Sequence, residues 1–259
     1  ENRTIFLGMD QNRAELPGSN VKGKNPLKDV KVRKALYQAI DMDTIHRVTM
    51  RGLSQNTGAL VAPQVNGWTK TVDTRFPYSQ DASKKLLAEA GYPNGFTITL
   101  NTPNDRYVND EAIATAVAGF LGRIGIKTEV SARPIAMHSV SLTKADSDFY
   151  LYGWGVPTYD SAYIFDFLVH TRGKDSRGAQ NATHYSNADV DAKILSLSSE
   201  SDKAKRDATI KSIWETVQKE RFYIALHDQV IHFASVPRLN VPVHPDNALH
   251  FKFVKFEKK

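Results

Sequence analysis

An apolar stripe between two short strand-like segments is the feature that most constrains the fold. Residues 96–100 alternate between apolar and polar side chains, as a half-buried strand does, and residues 126–131 form a second strand-like segment. A helix that begins at Asn109 or Asp110 separates them. Its apolar stripe consists of Ile113, Ala116, Val117, Phe120, Leu121 and Ile124. Because such a crossover connects neighbouring parallel strands with a right-handed turn, the sequence predicts a parallel pair within an α/β fold.

Other periodic segments extend this α/β pattern along the chain. Further strands are predicted at residues 4–9, 148–154, 222–226, 230–234 and 249–256. Further helices are predicted at residues 29–40, 43–48, 81–90, 163–170, 189–197 and 203–219, with Asp29 and Asp43 as caps of the first two. Residues 11–26 are rich in Gly, Asn and Pro, which indicates an exposed loop.

The composition excludes several classes of protein. With 259 residues, 41% of them hydrophobic, the chain can bury a core without a disulfide or a metal. It contains no cysteine, which excludes thiol catalysis, cysteine zinc sites and disulfides. The net charge of +6 is mostly spread along the chain, so we expect no nucleic-acid partner. No apolar run approaches the roughly 18 residues that a membrane-spanning helix needs.

The residue types that carry catalysis or hold cofactors do not occur in a recognised pattern. Residues 18–25 approach a phosphate-binding loop, but Asn25 replaces the required hydroxyl and Pro26 follows it. The eight histidines form no His-x-x-x-His or His-x-His pair with acidic neighbours. The sequence has neither a Gly-x-Ser-x-Gly elbow nor a Gly-x-Gly-x-x-Gly turn. We therefore expect no catalytic residue, no metal and no cofactor.

Two loops at the carboxyl ends of predicted strands carry the candidate binding residues. Ligands of open α/β sheets bind at this edge, because helix N-termini and free backbone amides point into the crevice there. The first loop supplies Asn101, Arg106 and Tyr107. The second supplies Trp154, Gly155, Val156, Pro157, Tyr159 and Asp160. Its glycines let a ligand approach the backbone, its rings cover apolar surface, and its carboxylate could hold a cation. A structural turn with a buried Trp is the alternative.

Four segments, in order, resemble the extracytoplasmic solute-binding proteins of peptide and nickel ABC importers. The first runs from residue 25 to 41 and begins NPLKDVKVRKAL. The others are residues 78–96 with their KKLLAEAGYP core, 149–154 with a Gly-Trp pair, and 181–191 with HYSN and Val-Asp. The resemblance spans nearly the whole chain. It implies a periplasmic-binding-protein-like lobe with a mixed, mostly parallel sheet flanked by helices.

The resemblance also implies how the chain is organised. Residues 1–259 would form the C-terminal, ligand-binding lobe of a two-lobed clamp that encloses its solute by hinge closure. Residues 4–9 and 249–256 would be the crossing segments between the lobes, and we expect them to lie side by side. The chain would then begin partway through a longer protein. Such a protein would be periplasmic, or anchored outside the membrane, with its signal peptide not present in this chain.

The resemblance is incomplete at two positions that contact the ligand in its peptide-binding members. There, an Asp three positions after the Trp of the Gly-Trp pair holds the amino terminus of the peptide, whereas this chain has Pro157. Leu151 stands where some peptide binders have a basic residue. Arg106, with its bidentate guanidinium, indicates instead a carboxylate or another anionic group on the solute.

Different classes of function follow from these features. The first is a non-enzymatic component of an ABC importer that captures a peptide-like or other small polar solute. Its partners would be the solute, a membrane permease and the N-terminal lobe. The second is a hydrolase or transferase that uses Asp160 with a histidine such as His184. The third is a receptor that retains the fold without transport.

Overall fold

The computed structural model describes residues 1–144 and 146–257 and contains a six-stranded sheet and a separate two-stranded sheet. The strands are Arg3–Met9 (β1), Ser54–Asn56 (β2), Thr97–Pro103 (β3), Lys127–Arg133 (β4), Phe149–Gly155 (β5), Tyr223–Gln229 (β6), Leu239–Asn240 (β7) and Lys255–Phe256 (β8). The α-helices are Val30–Ala39 (α1), Met42–Thr44 (α2), Gln80–Glu89 (α3), Asp110–Gly122 (α4), Ile135–Thr143 (α5), Ser161–Ile164 (α6), Ala188–Ser196 (α7) and Lys203–Glu220 (α8). Single π-helical turns, Ile45–Thr49 and Phe165–Val169, extend α2 and α6.

The large sheet is mixed, with the strand order β2-β6-β1-β5-β3-β4. β1 runs antiparallel to both β5 and β6, and β2 runs antiparallel to β6. Parallel pairing joins β5 to β3 and β3 to β4, and α4 makes the crossover that the sequence predicts. The predicted α/β class and mixed sheet are confirmed. Parallel pairing is less extensive than predicted, because a hydrophobic pattern does not reveal strand direction.

The two faces of the sheet bury separate hydrophobic clusters. Successive residues of a strand face opposite sides, so Ile5 and Leu7 belong to one cluster and Phe6 to the other. The first cluster includes the apolar sides of α1, α3 and α4, and the second includes those of α6, α7 and α8. Trp214 is fully buried in the second cluster, where its Nε1 donates to Ser161 Oγ at 3.0 Å. Helices thus hold the sheet from both sides.

Polar residues fix where several helices begin. Asp29 Oδ1 accepts a hydrogen bond from the Lys31 amide at 2.7 Å, which confirms the predicted cap of α1. The cap of α2 is Asp41, whose Oδ1 accepts from the Thr44 amide at 3.0 Å, rather than the predicted Asp43. None of the described helices combines the length and apolar character needed to cross a membrane.

The segment after β6 differs most from the sequence prediction. Residues 230–234 are irregular rather than a strand. Residues 249–256 contain a short 3₁₀ turn and β8, which pairs with β7. They do not lie beside residues 4–9, because β5 and β6 occupy both edges of β1. The predicted pairing of the two crossing segments is therefore wrong.

Candidate functional site

A cavity of about 370 Å³ opens at the carboxyl edge of the parallel strands β3, β4 and β5. The segments that follow these strands form its walls, and the residues at the start of β1 line another side. Six of the nine residues predicted from sequence lie together in its lining: Arg106, Tyr107, Trp154, Gly155, Val156 and Pro157.

The loop after β3 is held rigidly against β5. Asp110, the first residue of α4, accepts hydrogen bonds from the amides of Arg106 and Tyr107 at 3.1 and 3.0 Å. The hydroxyl of Tyr107 donates to the Gly153 carbonyl oxygen at 3.1 Å, and burial raises the pKa of this phenol. The exposed Arg106 guanidinium lies 5.4 Å from the centre of the Tyr107 ring. Among the described residues it forms no ion pair, so it is available to an anionic group.

Aromatic side chains form a second wall of the cavity. Tyr152, Trp154 and Tyr163 all line it. The Trp154 and Tyr163 rings are stacked with centroids 5.7 Å apart, and Phe167 packs behind both rings at 5.7 and 4.8 Å. Trp154 Nε1 is buried and lacks a hydrogen-bond partner within the described part of the chain. The wall therefore offers a preformed apolar surface for a solute.

The backbone at the end of β5 is open to the cavity. Gly155 has no side chain to block the approach of a solute, and a Cβ added there would lie 3.6 Å from the nearest side-chain atom, Asn2 Oδ1. Asn2 Nδ2 donates to the Val156 carbonyl oxygen at 2.7 Å, which fixes the β5 loop to the start of β1. Pro157 follows at an exposed position.

α5 forms part of the cavity wall and contacts the sheet through His138. Ile135 and Ser139 line the cavity, whereas His138 points into the sheet and is almost fully buried. Burial lowers the pKa of His138 to about 4, so the ring is neutral near pH 7. Its Nε2 lies 2.9 Å from the Leu151 carbonyl oxygen and therefore carries the proton and donates.

Asp160 and Tyr159 are not part of the cavity lining. Arg206 of α8 donates to both carboxylate oxygens of Asp160, at 2.7 and 2.8 Å, and Asn66 Nδ2 donates to one of them at 3.1 Å. Burial alone would raise the pKa of Asp160, but Arg206 and these hydrogen bonds lower it to about 2. The Tyr159 backbone carbonyl accepts from the Asn66 amide. These residues stabilise the loop, so the predicted role of Asp160 as a charge for the solute is not supported.

Asn101 also lies outside the main cavity. It belongs to β3 rather than to the loop, and it lines a second cavity of about 230 Å³ together with Arg133, Thr99 and Asp148. The sequence placed Asn101 in the loop because the alternating pattern ends at residue 100, whereas β3 continues for three more residues, to Pro103.

The structure does not bring together the two residues of the predicted hydrolase or transferase site. His184 Nδ1 lies 2.6 Å from Asp10 Oδ2, and Asp10 directly follows β1. Asp160 follows β5, whose last residue pairs with the first residue of β1. The two groups thus lie beyond opposite ends of β1 and have separate partners. Within the described ranges, no group of three or more His, Cys, Asp or Glu residues could hold a metal ion.

Sequence reasoning missed the contributions of α5, of the chain start and of residue 246 to the cavity. The missed lining residues are Glu1, Asn2, Arg3, Ile135, Ser139, Tyr152, Gly153, Tyr163 and Asp246. A signal for α5 was present, because the carboxyl end of β4 lies at the same sheet edge and Pro134 occupies the N-cap position before a new helix.

Residues 1–176 match the family described as "Bacterial extracellular solute-binding proteins, family 5 Middle". Oligopeptide-binding protein AppA of Bacillus subtilis is 27% identical over 245 residues, which cover 88% of this chain and 44% of AppA. Heme-binding protein A of Haemophilus influenzae is 26% identical over 193 residues, which cover 70% of this chain and 34% of that protein.

Solved structures of the same kind share the fold. Bacillus subtilis AppA in complex with a nonapeptide superposes with a TM-score of 0.81 at 20% identity, over 99% of this chain and 51% of that one. The periplasmic binding protein DppA from Helicobacter pylori, in complex with the peptide STSA, gives a TM-score of 0.80 at 20% identity, over 99% of this chain and 48% of that one. The chain spans less than half the length of the two curated relatives and about half of these solved chains. This chain belongs to family 5 of the bacterial extracellular solute-binding proteins.

Proposed function

We propose that this chain is one lobe of an extracytoplasmic solute-binding protein that delivers a peptide-like or other small polar solute to the permease of an ABC importer. The cavity at the carboxyl edge of β3, β4 and β5 would form one wall of the binding cleft. The observation that carries this proposal is the combination of three features in one cavity: a guanidinium that has no ion pair among the described residues, a stacked aromatic wall and an open backbone at Gly155.

Exposed apolar side chains support the proposal of a second lobe. Val243, Leu249, Phe251 and Phe256 are 61%, 46%, 77% and 80% exposed, and all lie in the segment after β6. Several large apolar side chains exposed along one segment are typical of a surface that another protein surface covers. Because AppA of Bacillus subtilis is about twice as long as this chain, we propose that a second lobe covers these residues.

Each part of the cavity has a distinct chemical role in this proposal. Arg106 would bind a carboxylate of the solute through two parallel hydrogen bonds. Trp154 and Tyr163 would pack against an apolar or aromatic group, and the backbone near Gly155 would accept and donate hydrogen bonds. Closure of the second lobe would then remove water from these contacts, which strengthens the charged ones.

Relatives with related ligands favour a solute that carries a carboxylate. They include an oligopeptide-binding protein and a glutathione-binding protein from Pectobacterium atrosepticum, which is 24% identical over 236 residues. Free peptides and glutathione both carry carboxylates, which suits a cavity with Arg106, an arginine that has no ion pair in the described part of the chain. The same cavity lacks Asp160, so its recognition of the other end of a peptide differs from what the loop sequence suggests.

Native purification tests the proposal directly. The protein that carries this chain should be isolated without denaturation, and the molecule released on unfolding should be identified by mass spectrometry. We expect a small molecule with a carboxylate, at close to one equivalent, that Arg106→Gln loses and the matched surface variant Arg123→Gln retains. Turnover of that molecule by the purified protein, or retention by the Arg106→Gln variant, would contradict the proposal.

A further inference from the structure

We propose that Asp246 is a second charged subsite of the cavity, one that binds a cationic group of the solute. This inference rests on the proposed function and narrows the solute class. The solute would carry a carboxylate for Arg106 and an ammonium or guanidinium group for Asp246, with an apolar group between them against the aromatic wall.

Asp246 enters the cavity from outside the large sheet. It lies in the segment between β7 and β8, and the Asn2 amide donates to the Pro245 carbonyl oxygen at 2.9 Å, which ties this segment to the start of β1. The Asp246 carboxylate accepts from the Ala248 amide at 3.0 Å and lies 3.1 Å from His250 Nε2. Its side chain remains 34% exposed. A carboxylate has about four acceptor positions, so positions remain for a solute.

His250 is itself held in place, which orients the carboxylate. The His250 and His244 rings lie 4.2 Å apart, and the Phe253 ring stacks on His244 at 5.8 Å. Asp246 is therefore a preoriented group rather than a free surface carboxylate. Preorganisation reduces the entropy that is lost when a solute binds.

The other charges of the cavity neutralise each other. Four charged residues line it: Glu1, Arg3, Arg106 and Asp246. Arg3 Nε lies 3.1 Å from Glu1 Oε1, and Gln229 Nε2 donates to Glu1 Oε2 at 2.7 Å. Among the described residues that line the cavity, this leaves one cation, Arg106, and one carboxylate, Asp246, to interact with a solute. Charges of opposite sign in one cavity select a solute that carries both.

The loop after β5 does not provide an alternative carboxylate for the cationic group of the solute. Asp160 is paired with Arg206 outside the cavity, and position 157 is a proline. Of the two carboxylates among the described residues that line the cavity, Glu1 pairs with Arg3, whereas Asp246 contacts His250, which is partly exposed.

A charge-deletion series on the solute and the protein tests this proposal. The probes are the dipeptide Ala-Phe, its N-acetyl form and its C-terminal amide, titrated by calorimetry into the native protein. We expect N-acetylation to weaken binding to the unmodified protein by about tenfold or more, since a hydrogen bond to a charged group is worth about 1.5–3 kcal/mol. In Asp246→Asn the same modification should change affinity by less than about twofold.

Further variants separate the two subsites and test for indirect effects. Arg106→Gln should abolish the effect of amidation and preserve the effect of acetylation. The surface control Asp175→Asn should preserve both effects. Circular dichroism melting of each variant checks that it is folded.

The outcomes distinguish this proposal from the proposed function. If Asp246→Asn retains the full acetylation effect while Ala-Phe binds, the Asp246 subsite is wrong and the solute-binding function stands. If the unmodified protein binds none of the three probes, the proposal of a peptide-like solute is wrong, and the Asp246 subsite, which rests on it, is wrong as well.

Discussion

The Tyr107 hydroxyl donates a hydrogen bond to the Gly153 carbonyl oxygen across 3.1 Å and so connects the loop after β3 to β5. The Tyr107 ring packs directly over the Cα of Gly153, where a Cβ would lie only 2.8 Å from Tyr107 Cε1. This contact holds the Arg106 and Trp154 walls in a fixed relation. Glycine at position 153 leaves the space that this contact needs.

The first prediction is that Gly153→Ala destabilises the protein. The new methyl group would lie 2.7 Å from Ile5 Cδ1 as well as against Tyr107, and both side chains are buried. Overpacking of this kind costs about 1–3 kcal/mol. Gly155→Ala is the matched control, because its Cβ would meet its nearest atom at 3.6 Å. Denaturant unfolding of both variants measures the difference, and equal free energies of unfolding would contradict the prediction.

The second prediction concerns pH and Asp228. Burial raises the pKa of Asp228 to about 7, although Thr4 Oγ1 donates to its carboxylate at 2.6 Å. The folded state therefore binds this proton more tightly than the unfolded state, whose carboxyl titrates near 4, so stability falls as pH rises between about 4 and 7. Asp228→Asn keeps an acceptor for Thr4 and removes the ionisation. The difference in melting temperature, Asp228→Asn minus the unmodified protein, should be larger at pH 8 than at pH 5, by about 2–4 °C or more. A difference that does not depend on pH would contradict this assignment.

The third prediction is that Asp160 contributes to stability and not to solute binding. Asp160→Asn keeps a good helix cap but loses the charge that pairs with Arg206. Because the pKa of Asp160 is lowered to about 2, its contribution is present above about pH 4 and is lost as pH falls toward 2. We expect a loss of about 1–2 kcal/mol at pH 7, measured by denaturant unfolding, and unchanged affinity for Ala-Phe. If a folded Asp160→Asn protein lost affinity for Ala-Phe, Asp160 would belong to the binding site and the prediction would be wrong.

The fourth prediction uses Trp154 as a reporter. Its ring lines the cavity and stacks on Tyr163, so a solute in the cavity should change its fluorescence. Saturating Ala-Phe should shift the emission of the unmodified protein and of Trp68→Phe. The shift should be absent in Trp154→Phe. Trp68 is the control because its Nε1 donates to Asp73, away from the cavity lining.

The sequence predicted the α/β class and the two loops that form much of the cavity. It did so because parallel strands joined by a crossover helix bring their carboxyl ends to one edge, which places Arg106 near Trp154. It could not predict that Asp160 pairs with Arg206, since the two lie 46 residues apart and meet only after α8 has packed. The contribution of Asp246 to the cavity could not be predicted either. The residues around it show no hydrophobic periodicity, and a hydrogen bond to the start of β1 positions them.

The central position of β1 has a consequence for how the chain folds. Thr4 bonds to Asp228 across 224 positions and Asn2 to Val156 across 154, so two very long loops must close before the sheet is complete. Such distant contacts make folding slow. In any state in which β1 has not yet inserted, the edges of β5 and β6 that it covers are unpaired, and unpaired strand edges are prone to pair with other chains.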